Sequence, residues 1–456
     1  MKRPAHIATC GQTLVLGLLL SCAETAAAQD PGPQPGVAAS SVYPIDLATT
    51  LRLAGAQNLD VELARKAVDE AHANYASAIE RFIPVLIPGA SYLHHSGRDQ
   101  AVEGPIIDVT KHNETAGVLV SAQIPVGDAI FEMLQSRQLL NAAGAAQTAE
   151  ERDVGLSAAQ QYFDLVNAGA LVEVIREALA ISQNYEQQLN EAVRIGTAFK
   201  GDAFRVQTQT RRLQLDLTRG EEQRRLAGTR LSQTLHLDPL IELTPAEREP
   251  APLALADLNA TPNSLIASAL QNRPELAQSS ALITAAQQAH RGALYGPLVP
   301  TLGGQAFAGS LNGGLGDANA NGGQRRDYGV GLSWRVGPGG LFDFGRIRAS
   351  DVGVTVARVK DDKLRDAIAR EVVDGYTQVQ SLFRQLRDAR LNVSSAEDTL
   401  RLTRGRKELG VGTVLEDIQA QQDLQKARSD LVSIVTQLNA AQYGLMHSLG
   451  RPLSTP

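Results

Sequence analysis

The 456-residue chain has only two cysteines, Cys10 and Cys22, both within its first 28 residues, so the rest can form neither a disulfide nor a thiolate metal site. Aromatic residues are scarce as well, at 4% with a single tryptophan, Trp334. A compact core for a chain of this size draws on more aromatics, whereas long Ala-, Leu- and Gln-rich helices need few. After residue 28 no stretch approaches the roughly 20 uninterrupted apolar residues of a transmembrane helix, so a mature chain that crosses a bilayer must do so with strands. Cations are in the minority, 43 Lys and Arg against 49 Asp and Glu for a net charge of −6, which makes nucleic acid a poor partner. HExxH, the Walker A pattern and G-x-S-x-G are all missing, and the Gly-rich run 303–323 has no helix placed to receive a phosphate. The chain therefore reads as a non-enzyme without a cofactor.

What is present begins with an export signal. Lys2 and Arg3 precede the apolar run Leu14 to Leu20, and Ala26, Ala27 and Ala28 offer a small-residue cleavage site, so residues 1–28 read as a secretory signal. Leu19, Leu20, Ser21 and Cys22 also resemble a lipobox, which would end the signal at residue 21 and lipidate Cys22. Both routes stand. Loss of residues 1–28 removes Lys2, Arg3 and Glu24 and takes the net charge to −7.

Between Asp327 and Arg346 two periodicities meet at one turn. Tyr328, Val330, Leu332, Trp334 and Val336 alternate with Asp327, Gly329, Gly331, Ser333 and Arg335, the period of a strand with one apolar face. Aromatics near both ends of that face match a strand crossing a bilayer between interfacial girdles. Beyond the turn the sequence stays helix-compatible for more than sixty residues.

The same order occurs earlier. Residues 45–82 predict a helix, 83–94 and 115–126 two strands around a polar loop 95–114, and 131–195 a proline-free helix of roughly 100 Å. Its seam Leu171, Ile175, Ala178, Ser182, Tyr185, Leu189, Ala192 steps 4, 3, 4, 3, 4, 3. A break at Gly196 and a helix over 203–236 complete residues 29–237 as a first repeat. A Pro-rich segment, 238–262, follows. The second repeat, 263–450, predicts helix 263–295, strands 299–309 and 327–336 around a loop 310–326, and a helix over 344–409. The seam of that helix is Val379, Leu382, Leu386, Ala389, Val393, Ala396 and Leu400. A final helix covers 413–449, before a tail at 451–456. A constant shift of 214 places Gly196 on Gly410, Asp202 on Glu416 and Gln207 on Gln421. The expected fold class is thus mainly α with a membrane β-barrel. Four strands cannot close a barrel or hide their edges, whereas three chains would supply twelve.

Three motifs carry a resemblance over essentially the whole mature chain. Residues 265–276 end in Asn272, Arg273, Pro274, Glu275, Leu276; residues 341–346 run Leu341, Phe342, Asp343, Phe344, Gly345, Arg346; and residues 409–421 open Leu409, Gly410, Val411, Gly412, Thr413. In this order, on a two-fold repeat, the chain resembles the TolC family of bacterial outer membrane efflux proteins. The resemblance implies a homotrimer: a twelve-stranded barrel in outer membrane lipid, a helical tunnel through the periplasm, and a mixed collar including residues 238–262. It also implies a passive exit duct that works with a periplasmic adaptor and an RND or ABC transporter of the inner membrane. Gly337, Pro338, Leu341, Phe342, Asp343 and Gly345 would form the barrel-to-tunnel turn. Ile195, Gly196 and Thr197, with Leu409, Gly410 and Val411, would meet the adaptor, although both glycines could equally just end helices.

At the periplasmic end, Glu416 resembles the first of the family's two constricting aspartates, and Gln419 stands in place of the second. Asp202 matches the acidic member of a restraining network whose Arg and Tyr partners are here Gly412 and Lys407. One acidic ring and an incomplete lock imply a cation-selective, less tightly held pore; alternatively Glu416 is one more solvated charge at a helix end. His94, His95 and His112 flank the first hairpin loop, as a surface metal site or as solvated histidines, since nothing fixes their geometry. A periplasmic coiled-coil adaptor is the competing functional class, but it needs no hairpins of bilayer height; a porin needs no long helices.

Overall fold

The computed structural model describes residues 42–247, 249–257, 260–316, 322–409 and 411–452, apart from the side chains at 407 and 408. The export signal with Cys22, the stretch 29–41, Gly410, the tail from 453 and the side chain of Lys407 lie outside the described residues. In chain order the elements are β1 (Val42–Ile45), α1 (Leu47–Gln57), α2 (Leu59–Glu80), β2 (Val85–Gln100), β3 (Ile106–Pro125), α3 (Val126–Arg194) and α4 (Lys200–Thr234). There follow β4 (Glu242–Pro245), α5 (Pro262–Asn272), α6 (Pro274–Tyr295), β5 (Thr301–Leu315), β6 (Gly323–Ser333), α7 (Phe344–Glu408) and α8 (Val414–Ser448). The architecture is mainly helical, and the order two helices, hairpin, long helix, helix is traversed twice.

Several expected boundaries change, each for a local reason. The pattern over 45–82 is two helices, because Asn58 turns extended and caps α2, accepting from the N–H groups of Asp60 and Val61 while donating to Thr234 O at 2.8 Å. The pattern over 263–295 breaks at Arg273, held extended by Pro274, which starts α6. The strands outrun their apolar cores. Most of 95–114, expected as a loop, is paired strand with a turn only at 101–105, and β5 and β6 likewise continue to Leu315 and from Gly323. A ladder needs only backbone partners, and polar cross-strand contacts such as Lys111 with Asp99 and Ser96 with Thr110 suit a hairpin arm beyond the apolar band. At its other end β6 stops at Ser333, so Trp334 and Val336 lie past the ladder, and Trp334 Nε1 donates to Leu298 O at 3.2 Å. Helix α3 starts at Val126 directly after Pro125, five residues before Phe131.

One antiparallel sheet, ordered β2-β3-β5-β6, joins the two hairpins through β3 and β5. The register puts Leu86, Tyr92, Val118, Val120, Ala306, Ala308, Tyr328, Val330 and Leu332 on one face. Among the described residues that face has no protein cover: Tyr328 is 90% exposed and Val330 82%. The other face alternates Gly, Ser, Thr and Gln with a few larger side chains. A water-soluble sheet buries its apolar face on its own core, so this one turns it outward to another solvent.

The helices pack in two main clusters. One gathers Tyr162, Phe163, Leu165 and Val166 of α3 with Val61, Leu231, Leu243 and Tyr443. The other gathers Leu265, Leu276, Ile368, Val372, Val379, Leu382, Leu438 and Leu445. Between them the Pro-rich segment is held by α8: the buried Asn439 and Gln442 amides accept from Leu253 and Leu255 N–H, both at 2.8 Å, and donate to Ala251 and Leu253 carbonyls. Two side chains thus pair with an extended backbone as a neighbouring strand would.

Candidate functional site: the strand-to-helix turn and the helix tips

The turn from β6 into α7 is built from residues that tolerate unusual backbone. Gly337 and Gly339 have positive φ, and so does Phe342 at +69°. Leu341 N–H returns to Arg335 O at 2.8 Å, closing the loop around Pro338. Asp343 then works in two directions: one carboxylate oxygen accepts from Gly339 N–H at 2.8 Å and the other from Arg346 N–H at 3.0 Å, capping α7. These two backbone bonds hold the Asp343 carboxyl below the usual carboxylate range. Gly345 follows in the first turn of α7, 3.6 Å from Asp343 by the place a Cβ would take. Arg346 reaches across to Asp128, at the start of α3, and to Gly292 O of α6. The Asp-x-Gly-Arg sequence is therefore a junction where α3, α6 and α7 leave the sheet together.

At the far ends of the long helices two turns lie near one another. Ile195 caps α3, Gly196 has φ +80°, and Thr197 returns both its N–H and its hydroxyl to Ala192 O. At these turns Ile195, Phe199, Leu409 and Val411 stand 63–80% exposed, apolar side chains with no protein cover among the described residues.

Asp202 and Glu416 occupy matching places in the first turns of α4 and α8, where the helix dipole favours an anion. Neither carboxylate stands alone. Asp202 pairs with Arg205 at 3.2 Å. Glu416 completes a capping box with Thr413 and lies 3.8 Å from Arg406. Gln419 is exposed, and Gly412 N–H bonds to Arg406 O at 3.2 Å.

Sequence reasoning passed over the acid next to Glu416. Asp417 is only 2% exposed, accepts from Gln421 at 3.3 Å, and shares a cleft with Tyr185, Gln188 and Arg404. Burial pushes the Tyr185 phenol up to about 12, with the carboxylates of Asp417 and Asp202 adding to the effect. The structure thus brings Tyr185, Asp202 and Asp417 together from three helices. The available signal was Tyr185 itself, the one aromatic in an otherwise small and aliphatic seam.

In the first hairpin, His94 and His112 are cross-strand partners, His112 Nδ1 lies 3.0 Å from Gly316 O, and among the described residues no group of His, Cys, Asp and Glu is placed to hold a metal.

A sheet with its apolar face outward, long helices leaving one end of it and a polar strap across them define an outer membrane channel fold. Solved structures share it. A membrane protein from Pseudomonas aeruginosa superposes with a TM-score of 0.76 at 17% identity, covering 90% of this chain and 92% of that one. The CmeC outer membrane channel of Campylobacter jejuni gives 0.75 at 15% identity, covering 89% and 85%. In sequence, the outer membrane efflux protein BepC of Brucella suis biovar 1 (strain 1330) is 23% identical over 335 residues, 72% of this chain and 71% of the relative. Residues 265–451 match the family model for outer membrane efflux proteins. Over those residues this chain carries the pattern of the outer membrane efflux family, and it shares its fold with solved outer membrane channels. It is a passive exit duct of the bacterial outer membrane rather than an enzyme.

Proposed function

We propose that three copies of the chain close a twelve-stranded barrel whose helices continue as a periplasmic tunnel, serving a tripartite efflux or type I secretion system. The observation that carries this reading is the sheet β2-β3-β5-β6: four long strands with an outward apolar face, and with β2 and β6 each paired on one side only among the described residues. A second copy is the natural occupant of each edge. Exposed apolar stripes support the same assembly along the helices: Phe204, Leu215 and Leu226 recur every 11 residues on α4, and Val352, Val356, Val359 and Val373 share a face of α7. In this reading residues 29–237 and 263–450 are the two repeats, and 238–262 joins residues 29–46 and the C-terminus in the collar.

The apolar tips at Ile195, Gly196, Thr197, Leu409, Gly410 and Val411 are the proposed contact for a periplasmic adaptor, which links the duct to an RND or ABC transporter. Glu416, Gln419, Asp202, Lys407 and Gly412 form the proposed gate region, with Glu416 as its acidic ring. Outer membrane fractions resolved by electrophoresis with and without boiling test the assembly: a heat-modifiable trimer is expected, and a monomer under all conditions would refute it. Disulfide trapping between cysteines placed along β2 and β6 should link three chains into a closed ladder.

A further inference from the structure

The sheet face opposite the outward apolar one carries a straight row of four side chains. Ile87 pairs with Leu119, Leu119 with Phe307, and Phe307 with Asp327, so three apolar groups and one carboxylate stand side by side across all four strands. Above and below, β3 and β5 offer this face Gly117, Ser121, Gln305 and Gly309. The Phe307 ring lies over the facing pair Gly117 and Gly309: a Cβ added at either would come within 2.8 Å of its Cζ. Only glycine leaves room there, so the ring is pinned against the wall. Its remaining surface meets Arg325, whose guanidinium stands 5.8 Å from the ring centroid and donates to Asp327 at 2.6 Å.

A pinned aromatic ring that already accepts a cation, beside two aliphatic side chains and a carboxylate, complements one kind of solute: a lipophilic cation. We propose that Ile87, Leu119, Phe307 and Asp327 form a contact site for lipophilic cations inside the barrel, repeated three times around the lumen, with Arg325 as the resident cation that such a solute displaces. The site rests on the trimeric barrel proposed above, which turns this face inward. It explains why apolar side chains line up on a face that otherwise meets water, and it locates cargo preference in the barrel wall as well as at the tips.

The test uses purified full-length protein in planar bilayers, with tetraphenylphosphonium as probe and tetramethylammonium as a cation lacking the apolar body. Tetraphenylphosphonium should reduce the current at lower concentration than tetramethylammonium. Leu119→Gln, which leaves the Phe307 stack untouched, should raise its half-blocking concentration about three- to fivefold, and Asp327→Asn should do likewise. Arg325→Gln should lower it, because the solute no longer competes with a tethered guanidinium. Tetramethylammonium should be indifferent to all three. A conducting channel whose tetraphenylphosphonium block ignores every substitution overturns the site alone. A protein that yields no trimer and no channel overturns the assembly and the site with it.

Discussion

Arg346 Nη2 lies 2.6 Å from Asp128 Oδ1, joining residues 218 positions apart at the point where α3 and α7 leave the sheet. The pair is about one-third exposed, so solvent screens it and its own worth is about 1 kcal/mol or less. Arg346 also donates to Gly292 O at 3.1 Å, a second bond beside the one that carbonyl accepts from Gly296 N–H, and the Asp128 substitution leaves it in place. Arg346→Gln should therefore cost more than Asp128→Asn in the temperature at which the assembly dissociates. The double variant should be less damaged than the sum of the singles. Additive effects would mean that the two side chains do not act together.

Close approach at the same junction makes a second prediction. A Cβ at Gly127 would sit 2.2 Å from Gly296 O, backbone against backbone with no flexible atom to yield. Gly127→Ala should strip folded protein from the outer membrane. Gly55→Ala, where a Cβ in α1 meets nothing within 4 Å, should be tolerated and gain up to about 1 kcal/mol. Equal membrane levels of the two variants would refute the steric argument.

The strap across α8 depends on two buried amides. Gln442→Leu keeps the volume but leaves the N–H of Leu255 and the carbonyl of Leu253 without their amide partner, at about 1–3 kcal/mol for each buried group. Limited proteolysis should then cut within 246–257 while the long helices stay intact. Resistance equal to the parent protein would show that other contacts hold the strap.

Alkaline pH should loosen the tips. Tyr185 ionises in the unfolded chain near the usual tyrosine value but only at about 12 when folded, so the unfolded state loses its proton first. The stability tied to the neutral phenol is complete below about pH 10 and is lost as pH rises toward 12, on the order of 2 kcal/mol. Thermal dissociation followed between pH 9 and 12 should fall less steeply in Tyr185→Phe. Parallel curves would mean that the phenol is already solvated in the assembly.

The tip proposals separate by charge and by surface. Glu416→Gln preserves the capping box with Thr413, since glutamine fills the same role, yet removes the charge. It should lower cation preference and weaken block by multivalent cations in planar bilayers; unchanged values would move the constriction elsewhere, with the buried Asp417 the next candidate. Thr197→Asp or Val411→Asp places a charge among the exposed apolar side chains of the tips without touching the helix-ending glycines. Export should be abolished while trimers still form, and unimpaired export would remove the adaptor contact.

Composition and periodicity alone determined the outline: long proline-poor helices, strands with one apolar face, and an order traversed twice. These are local properties, since heptad spacing and two-residue alternation each follow from the geometry of a single element. The Asp343 to Arg346 motif stood out only through its resemblance to the family's turn, although the helix cap and positive-φ turn that it forms depend on near neighbours. Tertiary structure decided the rest. The strands outrun their apolar cores because Lys111 and Asp99, 12 residues apart, meet across a ladder. Asn439 and Gln442 hold a strap some 186–189 residues away in sequence, and no local pattern marks a polar residue on a helix as a strand's partner. Asp417 and Glu416 are adjacent acids whose fates differ only because successive residues on a helix point about 100° apart, one toward Tyr185 and the other toward the cap. The row Ile87, Leu119, Phe307 and Asp327 exists only through register. A shift of one residue would turn each of its members to the other face.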